Sequence, residues 1–384
     1  MKNEEQNKII KENWLKMENR EIGELVGISA DAVQKRGRRM NLPRKDKAHQ
    51  SISQKINADK EAERSKNQGG DLLAKYKALI EINNRLERDL EILHTVKTVS
   101  TVKISKRENS KSEAVAVVLA SDWHVGERVD PETISGVNSY NEVIAQKRGE
   151  QFFQNTLRLL QICEKDVEIN TMILALLGDF ITNTIHEELA ETNTMLPADE
   201  LSFAQNLIIS GIEFLLQNTK VKLIIPCHSG NHGRMTKKQR ISSEAGNSLE
   251  YFMYKNIASH FRNEKRIEFI IPRSYFSFVT VGDKVLRFSH GHHTQYGGGV
   301  GGITIPVNKA IAQWNKTRKA DYDFFGHFHQ FLDGGYWICN GSMMGFNAYA
   351  ESIKAGFEPP KQAFFLIDFR RGKTIVCPIT FEDD

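Results

Sequence analysis

Residues 114–125 read AVAVVLASDWHV, a run of small and β-branched apolar side chains that ends in an aspartate and a histidine. A short apolar run closed by polar residues is typical of a buried strand that meets a loop. Four more runs of this kind follow along the chain, at 172–177, 221–226, 284–289 and 322–325. This repetition predicts an α/β protein whose strands lead into polar loops.

The loops after these five runs carry side chains that bind metals. The Asp, Asn and His residues of these five clusters are Asp122, His124, Asp179, Asn231, His232, His290, His292, His327 and His329. Ligands of open α/β sheets collect at the carboxyl ends of strands, so we expect these side chains to share one site. Imidazole, carboxylate and amide oxygen together suit Mn, Fe, Zn or Ni better than Ca. A lone Asp or His would more often be a capping or core residue, but five clusters favour a metal centre.

The pattern predicts two ions rather than one. Two ions roughly 3.5–4 Å apart can clamp a phosphoryl group and polarise its oxygens. A shared ligand must offer two oxygens, and Asp179 stands alone in its cluster, so it is the predicted bridge. Asp122 and His124 are two residues apart and would point the same way from an extended backbone, so both could reach one ion. His327 and His329 have the same spacing and could serve one ion each.

In this order the motifs resemble the calcineurin-like metallophosphoesterase superfamily, which reads D-x-H, G-D, G-N-H, H-G and G-H-x-H. The resemblance covers roughly residues 114 to 345. It implies that one metal is held by Asp122, His124, Asp179 and His329, and the other by Asp179, Asn231, His290 and His327. Manganese is the favoured ion, with Fe, Zn, Ni and Mg as alternatives.

The resemblance also implies a layered α/β fold, a β-sandwich of two sheets flanked by helices. The sequence pattern places helices near 141–164, 199–218, 243–263 and 305–318. It places the last strands near 336–340, 363–369 and 374–379.

A further role is implied for His232, which would stabilise the transition state or protonate the leaving oxygen. Family members usually carry Asp or Glu directly after the G-N-H triplet, and that acid orients the adjacent histidine. This chain has Gly233 there, so the group that orients His232 is left open.

Three other histidines accompany these motifs. His292 and His293 follow the predicted ligand of the fourth cluster and are weaker candidates for metal binding. His186 could touch substrate, but with Glu187 and Glu188 it is more typical of a charged helix start.

A basic loop follows His232. Its cations are Arg234, Lys237, Lys238 and Arg240. Such a loop would hold a phosphodiester backbone well, and the alternative is an ordinary solvated loop.

Length and composition indicate a multidomain protein without a membrane partner. The chain has 384 residues, 40% of them apolar, and its apolar runs fall short of the ~18 residues of a membrane span. No apolar signal region follows Met1. The four cysteines, which show no paired spacing, are Cys163, Cys227, Cys339 and Cys377. We therefore predict a cytoplasmic protein, in a bacterial host cell if the chain is encoded by a bacteriophage.

The first 70 residues carry the excess positive charge. They contain 16 Lys or Arg against 11 Asp or Glu, a balance of +5 in a chain of net charge +4. Within residues 1–43, three short helices are predicted: one running to about Met17, one capped by Asn19 and ended by Gly27, and one capped by Ser29. This arrangement resembles a helix-turn-helix of the Myb-like or homeodomain-like kind.

The third of these helices is the predicted recognition helix. It would bury Val33 and Met40 and present the candidate DNA contacts Gln34, Lys35, Arg36, Arg38 and Arg39. Basic side chains neutralise phosphates, and Gln and Arg read base edges, so DNA is the predicted partner. The alternative is a small protein-binding module with a solvated basic face.

Residues 44–70 are charged and polar and read as a flexible linker. Residues 71–98 then show a heptad of leucines at Leu72, Leu79, Leu86 and Leu93, with Asn83 at an alternate core position. A buried Asn there favours a parallel two-stranded coiled coil, so residues 72–93 predict a homodimer or higher oligomer. The alternative is one amphipathic helix packed against the domain that follows, residues 99–384.

Together these features predict a metal-dependent phosphodiesterase that acts on DNA, similar in plan to the double-strand-break repair nucleases of the superfamily. A phosphomonoesterase or small-nucleotide phosphodiesterase is the first alternative. The second alternative is a DNA-binding regulator or adaptor with a vestigial phosphoesterase fold. The intact ligand set argues against the second alternative, since a dead site is free to lose its ligands.

Overall fold

The computed structural model describes residues 3–43, 77, 80, 100–106, 113–296 and 301–382. The chain divides into two compact units, Met1–Asp89 and Leu90–Asp384. The predicted linker over 44–70 lies outside the described residues. So does the predicted coiled coil over 72–93, apart from Lys77 and Ile80, which are helical.

The amino-terminal unit contains three helices, α1 (Asn3–Asn13), α2 (Asn19–Val26) and α3 (Ala30–Arg39). They enclose a small core made of Ile10, Trp14, Ile22, Val26 and Val33. A Cβ on Gly37 would lie 2.0 Å from the Trp14 ring, so α3 packs its backbone directly onto the indole. Van der Waals contact of this kind needs a glycine, and it explains why the third helix carries one.

The predicted helix boundaries of this unit are right in part. Gly27, at φ 71°, ends α2 in the left-handed region, and the Ser29 hydroxyl accepts the backbone N–H of Ala32 to cap α3. The cap of α2 is Glu18 rather than Asn19, and Glu18 shares a capping box with Glu21. A carboxylate three residues on can reach back to the cap N–H, and that pairing makes Glu18 the cap.

The second unit is built on two six-stranded sheets. The first has the order β12-β11-β2-β3-β4-β5, and the second has the order β1-β6-β7-β8-β10-β9. The strands are β1 (Thr101–Ile104), β2 (Glu113–Ala120), β3 (Glu168–Leu176), β4 (Lys222–Pro226), β5 (Ile267–Ile270), β6 (Ser277–Val281), β7 (Lys284–Phe288), β8 (Tyr322–Phe325), β9 (Leu332–Asp333), β10 (Trp337–Cys339), β11 (Lys361–Asp368) and β12 (Gly372–Thr380).

The second unit also contains the helices α4 (Glu142–Cys163), α5 (Glu187–Thr192), α6 (Pro197–Asn218), α7 (Leu249–His260), α8 (Thr304–Thr317) and α9 (Ala348–Ser352), with 3₁₀ turns at Pro131–Ile134 and Ala245–Asn247. Of these, α4, α6 and α7 pack on the outer face of the first sheet, and α8 packs on the second sheet. Among the described residues, none of these helices combines the length and the apolar character needed to cross a bilayer.

The run that opens the domain is buried on both faces. Val115, Val117 and Leu119 of β2 contribute to the core between the sheets. Ala116 and Val118 contribute to the core on the opposite face, where the sheet meets α4, α6 and α7. A strand buried on both faces reads as a continuous apolar run rather than as an alternating one. The predicted layered fold, two sheets flanked by helices, is therefore confirmed.

The topology brings the ends of the central strands to one edge. β2, β3, β4 and β5 are parallel neighbours in the first sheet, and β7 is parallel to β8 in the second. Parallel strands present their carboxyl ends together, so the loops after β2, β3, β4, β7 and β8 open at the same side of the sandwich. All five strands that the sequence pattern predicted for this edge are present.

Candidate metal centre

The structure brings the five polar loops to one cluster of ligand atoms. Within it, three overlapping groups have their ligand atoms within 4.8 Å of one another: Asp122 with His124 and His329, His124 with Asp179 and His232, and Asp179 with His290 and His327. Asn231 joins the last group, because its Oδ1 lies 3.3 Å from His290 Nε2. All seven predicted ligands therefore lie together, and His327 and His329 fall in different groups.

The backbone of this cluster is left-handed at five of the ligand residues. The φ angles are 55° at Asp122, 47° at His124, 54° at Asp179, 74° at His327 and 53° at His329. The extended backbone expected for the Asp122–His124 pair is thus wrong, although both side chains do reach one group. A non-glycine residue in this region costs on the order of 1 kcal/mol or more, and such strain persists only where the surroundings impose it.

Hydrogen bonds between loops impose this conformation. The backbone N–H of Asp122 donates to the Gly178 carbonyl at 3.0 Å, and that of His124 donates to the Asp179 carbonyl at 3.1 Å. The His327 N–H donates to the Asp122 carboxylate at 3.0 Å. The loop after β2 is therefore held by the loops after β3 and β8.

Glycines in the motifs permit this close approach. A Cβ on Gly230 would lie 1.9 Å from Asp179 Oδ1, and a Cβ on Gly326 would lie 2.4 Å from Asp122 Oδ2. Any larger residue at either position would push a carboxylate out of the cluster.

The electrostatics favour an ionised Asp179 and neutral His124 and His327. Burial alone would raise the pKa of Asp179, but His290 and His232 hold it well below its usual range. Burial lowers the pKa of His124 far below its usual value and that of His327 to about 3. A deprotonated ligand is what metal binding requires, so these groups are ready for an ion.

His290 responds to the negative charge in the opposite way. Burial acts to lower its pKa, but the Asp179 carboxylate, whose Oδ2 lies 3.0 Å from His290 Nε2, outweighs burial and raises the pKa to about 10. The other ring nitrogen, Nδ1, lies 2.6 Å from the Leu177 carbonyl and can donate to it. That hydrogen bond directs Nε2 into the cluster, as backbone carbonyls commonly do for metal-binding histidines. A cation bound between Nε2 and the carboxylate would neutralise Asp179 in the same place.

The donor atoms fit divalent ions. His124 Nε2 and His329 Nε2 face each other at 3.2 Å, and His329 Nε2 lies 3.4 Å from Asp122 Oδ1. The buried Nδ1 of His124 has no hydrogen-bond partner among the described residues. Buried nitrogen and oxygen atoms that converge in this way cannot all be satisfied by one another, and a shared cation would satisfy them.

His232 is oriented by backbone groups. Its Nδ1 lies 2.8 Å from the Thr182 carbonyl, and its backbone N–H donates to Asp179 Oδ1 at 2.8 Å. Its ring packs edge-on against His124, with the centroids 4.6 Å apart. At Gly233, where an acid would be expected, a Cβ would lie 2.8 Å from the Glu250 side chain. The carbonyl of Thr182, rather than an acid at position 233, therefore orients the His232 ring.

Two buried glutamates that the sequence analysis did not single out hold the ligand loops. Glu250 of α7 accepts the N–H of Phe180 through Oε1 and that of Gly230 through Oε2, both at 2.7 Å. Glu200 of α6 accepts the N–H groups of Thr182 and Asn183 at 2.7 and 2.8 Å. Each carboxylate ties the loop after β3 to a helix. An acid in the first turn of a helix is common, so no local motif marks either residue.

Asn183 is a third residue that was missed. It has a left-handed backbone, at φ 58°, and its Nδ2 donates to the carbonyls of His232 and Arg234 at 2.8 and 3.0 Å. Asn adopts this conformation more readily than most residues. Its side chain thereby links the loop after β3 to the loop that carries His232.

The predicted basic loop lies beside the cluster. The Arg234 guanidinium donates to the Asn231 carbonyl at 2.7 Å and is half-buried. Lys237, Lys238 and Arg240 are exposed. Only Arg234 contacts a predicted ligand residue among these four cations.

The other histidines occupy separate positions. His186 is the residue before α5, as its charge pattern predicted, and its ring centroid lies 6.4 Å from that of His232. His292 and His293 lie outside the three groups described above and form a group of their own with Glu244.

In the amino-terminal unit, α3 presents four of its five predicted DNA contacts to solvent. Gln34, Lys35, Arg38 and Arg39 are exposed. Arg36 is half-buried, and its guanidinium donates to Gln6 at 2.9 Å and to Asn3 at 3.0 Å. Arg36 therefore contacts α1, and its contact with DNA stays a prediction. Met40, expected in the core, is half-buried at its edge.

No protein family and no curated protein matches the chain. Similar solved structures include a hypothetical protein from Pyrococcus horikoshii OT3, at 13% identity over 70% of this chain and 89% of that one, with a TM-score of 0.36. Vacuolar protein sorting 29 from Cryptosporidium parvum is 15% identical over 69% of this chain and 97% of that one, with a TM-score of 0.28. A protein serine/threonine phosphatase from Saccharomyces cerevisiae is 10% identical over 76% and 89%, with a TM-score of 0.31. Scores this low transfer no activity, so the function has to follow from the site itself.

Proposed function

We propose that the chain is a metal-dependent phosphoesterase that hydrolyses phosphodiester bonds in DNA. The observation that carries the proposal is the convergence of seven Asp, Asn and His side chains from five loops at one buried cluster. Asp122, His124, Asp179 and His329 would hold one ion, and Asp179, Asn231, His290 and His327 would hold the other. Manganese remains the favoured metal. Two such ions, when bound, polarise phosphoryl oxygens and lower the pKa of water.

The protein's own groups supply position and protons. With Nδ1 of His232 donating to the Thr182 carbonyl, Nε2 is the ring atom left to face a substrate. A positioned imidazole of this kind can donate a proton to a leaving oxygen. Arg234 lies directly beside Asn231 and would contact the nonbridging oxygens of the same phosphate.

DNA is favoured as substrate by the charge of the amino-terminal unit. Lys35, Arg38 and Arg39 are exposed on one helix, and this helix is the third of a compact three-helix unit. Cations on such a helix neutralise phosphates and hold a duplex in register. This unit would bring DNA to the chain, and the metal cluster would cleave it.

The test compares substrates and variants of the full-length protein after removal of metal by chelator and reloading with Mn²⁺. We expect hydrolysis of labelled DNA and of a small aryl phosphodiester, and none in chelator. Asp179→Asn should abolish turnover and release bound metal, because it removes the shared charge. His232→Ala should keep its metal and lose about 10²–10⁴ in rate.

Two results would contradict the proposal. Full activity of Asp179→Asn in excess chelator would refute the metal mechanism. Hydrolysis of phosphomonoesters with no cleavage of either DNA or the diester would identify the alternative, a phosphomonoesterase.

A further inference from the structure

We propose that Glu244, His292 and His293 form a third metal site beside the two-metal cluster, suited to a zinc-like divalent ion. His292 and His293 follow β7, and Glu244 precedes the 3₁₀ turn that leads into α7. Their ligand atoms lie within 4.8 Å of one another. No ligand of the cluster described above is shared with this group.

The contacts within this group do not have hydrogen-bond geometry. His292 Nε2 lies 2.8 Å from Glu244 Oε1, and His293 Nε2 lies 3.9 Å from Glu244 Oε2. Nevertheless, both ring nitrogens of His292 and Nε2 of His293 are buried without a hydrogen-bond partner among the described residues. The side chain of His292 is only 2% exposed, so solvent does not satisfy it either. Unpaired buried nitrogens are costly, and an ion between the two Nε2 atoms and the carboxylate would remove that cost for both of these atoms.

Another histidine–glutamate pair of this chain shows what an ordinary contact looks like. His260 Nε2 and Glu213 Oε1 lie 3.0 Å apart in hydrogen-bonding geometry, and both side chains are nearly half exposed. The pair at Glu244 is closer but buried, and its ring nitrogen is not aligned with the carboxylate. The donor atoms of metal-binding side chains point toward a common ion, whereas the two partners of a hydrogen bond point toward each other.

The surrounding structure fixes the two rings. His293 stacks on Tyr275 with the ring centroids 3.8 Å apart and the planes 12° apart. The Tyr275 hydroxyl accepts the backbone N–H groups of Gly291 and His293 at 3.0 and 3.2 Å. Preorganised ligands reduce the entropy lost when an ion binds.

Two histidines and one glutamate are a known ligand set for zinc, and three protein ligands leave one coordination position open. Glu244 lines a small cleft together with Asn231, Arg234 and Arg240. The His292 ring centroid lies 5.2 Å from that of His290, a ligand of the two-metal cluster. On the proposed function, Glu244 and Arg234 therefore line the cleft in which a phosphate group of the substrate would lie.

The experiment counts ions rather than turnover. Full-length protein is stripped with chelator, dialysed against Zn²⁺ and analysed for bound zinc by mass spectrometry. We expect three zinc ions per chain in the wild type, and two in Glu244→Gln and in His293→Phe. The phenyl ring of His293→Phe can still stack on Tyr275. This variant therefore tests the site even if Glu244→Gln loses zinc because it misfolds. Glu213→Gln, which alters the exposed pair, is the matched control and should keep three ions.

The outcomes separate this proposal from the proposed function. A wild type that holds two ions, with both variants also holding two, overturns the third site and leaves the two-metal centre standing. A wild type that holds one ion, lost in Glu244→Gln but retained in Asp179→Asn, supports the third site and overturns the two-metal centre. Titration with Co²⁺ gives a second readout, since the visible absorption of a tetrahedral site should disappear in His293→Phe.

Discussion

Replacing Asn183 with glycine should loosen the loop that carries His232 without disturbing the metals. Glycine adopts the φ of 58° found at Asn183 freely, so this change removes the side chain and adds no backbone strain. It removes the two hydrogen bonds from Nδ2 to the carbonyls of His232 and Arg234. Neither accepting group is a side chain of the metal cluster, so metal content should not change.

The size of the effect follows from these two bonds. A hydrogen bond of this kind contributes about 0.5–1.5 kcal/mol net, so the pair contributes about 1–3 kcal/mol. If that free energy opposes local opening of the loop, the ratio of open to closed loop rises by about 5–150-fold, since ~1.4 kcal/mol is tenfold. Where the open loop then predominates, the productive population falls by up to the same factor. We therefore expect kcat to fall by about one to two orders of magnitude, because His232 no longer has a fixed position. KM should change much less.

The assay is steady-state hydrolysis of an aryl phosphodiester with Mn²⁺, with bound metal measured in the same samples. Asn41→Gly is the matched control, because Asn41 is also left-handed, at φ 51°, but lies in the amino-terminal unit. This control should retain wild-type kcat. Wild-type kcat in Asn183→Gly, or a decrease in activity matched by release of metal, would refute the reasoning.

Three further predictions concern other parts of the chain. Deletion of residues 1–70 should weaken DNA binding, and hydrolysis of a small diester should be unchanged. The slope of log binding constant against log salt concentration should decrease by about 0.9 for each phosphate that the protein no longer neutralises. If the truncated and full-length proteins bind DNA equally in a filter assay, the deleted unit is a protein-binding module instead. Deletion of residues 72–93 should give a monomer by light scattering, and a wild type that is already monomeric at micromolar concentration would contradict the coiled coil. His228 is buried, and burial lowers its pKa to about 3. The free energy of unfolding should therefore decrease as the pH falls below about 6.5, the pKa of a histidine in the unfolded chain. Between about pH 6 and pH 4, the free energy of unfolding of His228→Gln, measured by urea titration, should fall by about 1.4 kcal/mol less per pH unit than that of the wild type. If the two free energies fall in parallel with pH, His228 is not responsible.

The sequence by itself determined the order of the elements and the chemistry at their ends. Strand β2 is recognisable because burial on both faces leaves a continuous apolar run, a property of neighbours along the chain. The candidate ligands Asp122, Asp179 and His290 stand within two residues of the ends of such runs, and the topology of parallel strands places those ends together. Local pattern and a general rule of sheets were sufficient for this part of the fold.

Only the tertiary structure decided how the candidate ligands are held. The left-handed backbone at Asp122 depends on a carbonyl more than fifty residues away, and the orientation of His232 depends on Thr182 in another loop. Glu250 could not be distinguished from any exposed acid of a helical first turn, because its burial depends on packing between α7 and two loops. Likewise, Arg36 and Arg38 are both arginines of α3, and only the packing of α3 on α1 determines that Arg36 contacts α1 while Arg38 is exposed. Contacts between distant segments set burial, strain and pKa, and the order of residues along one segment does not contain them.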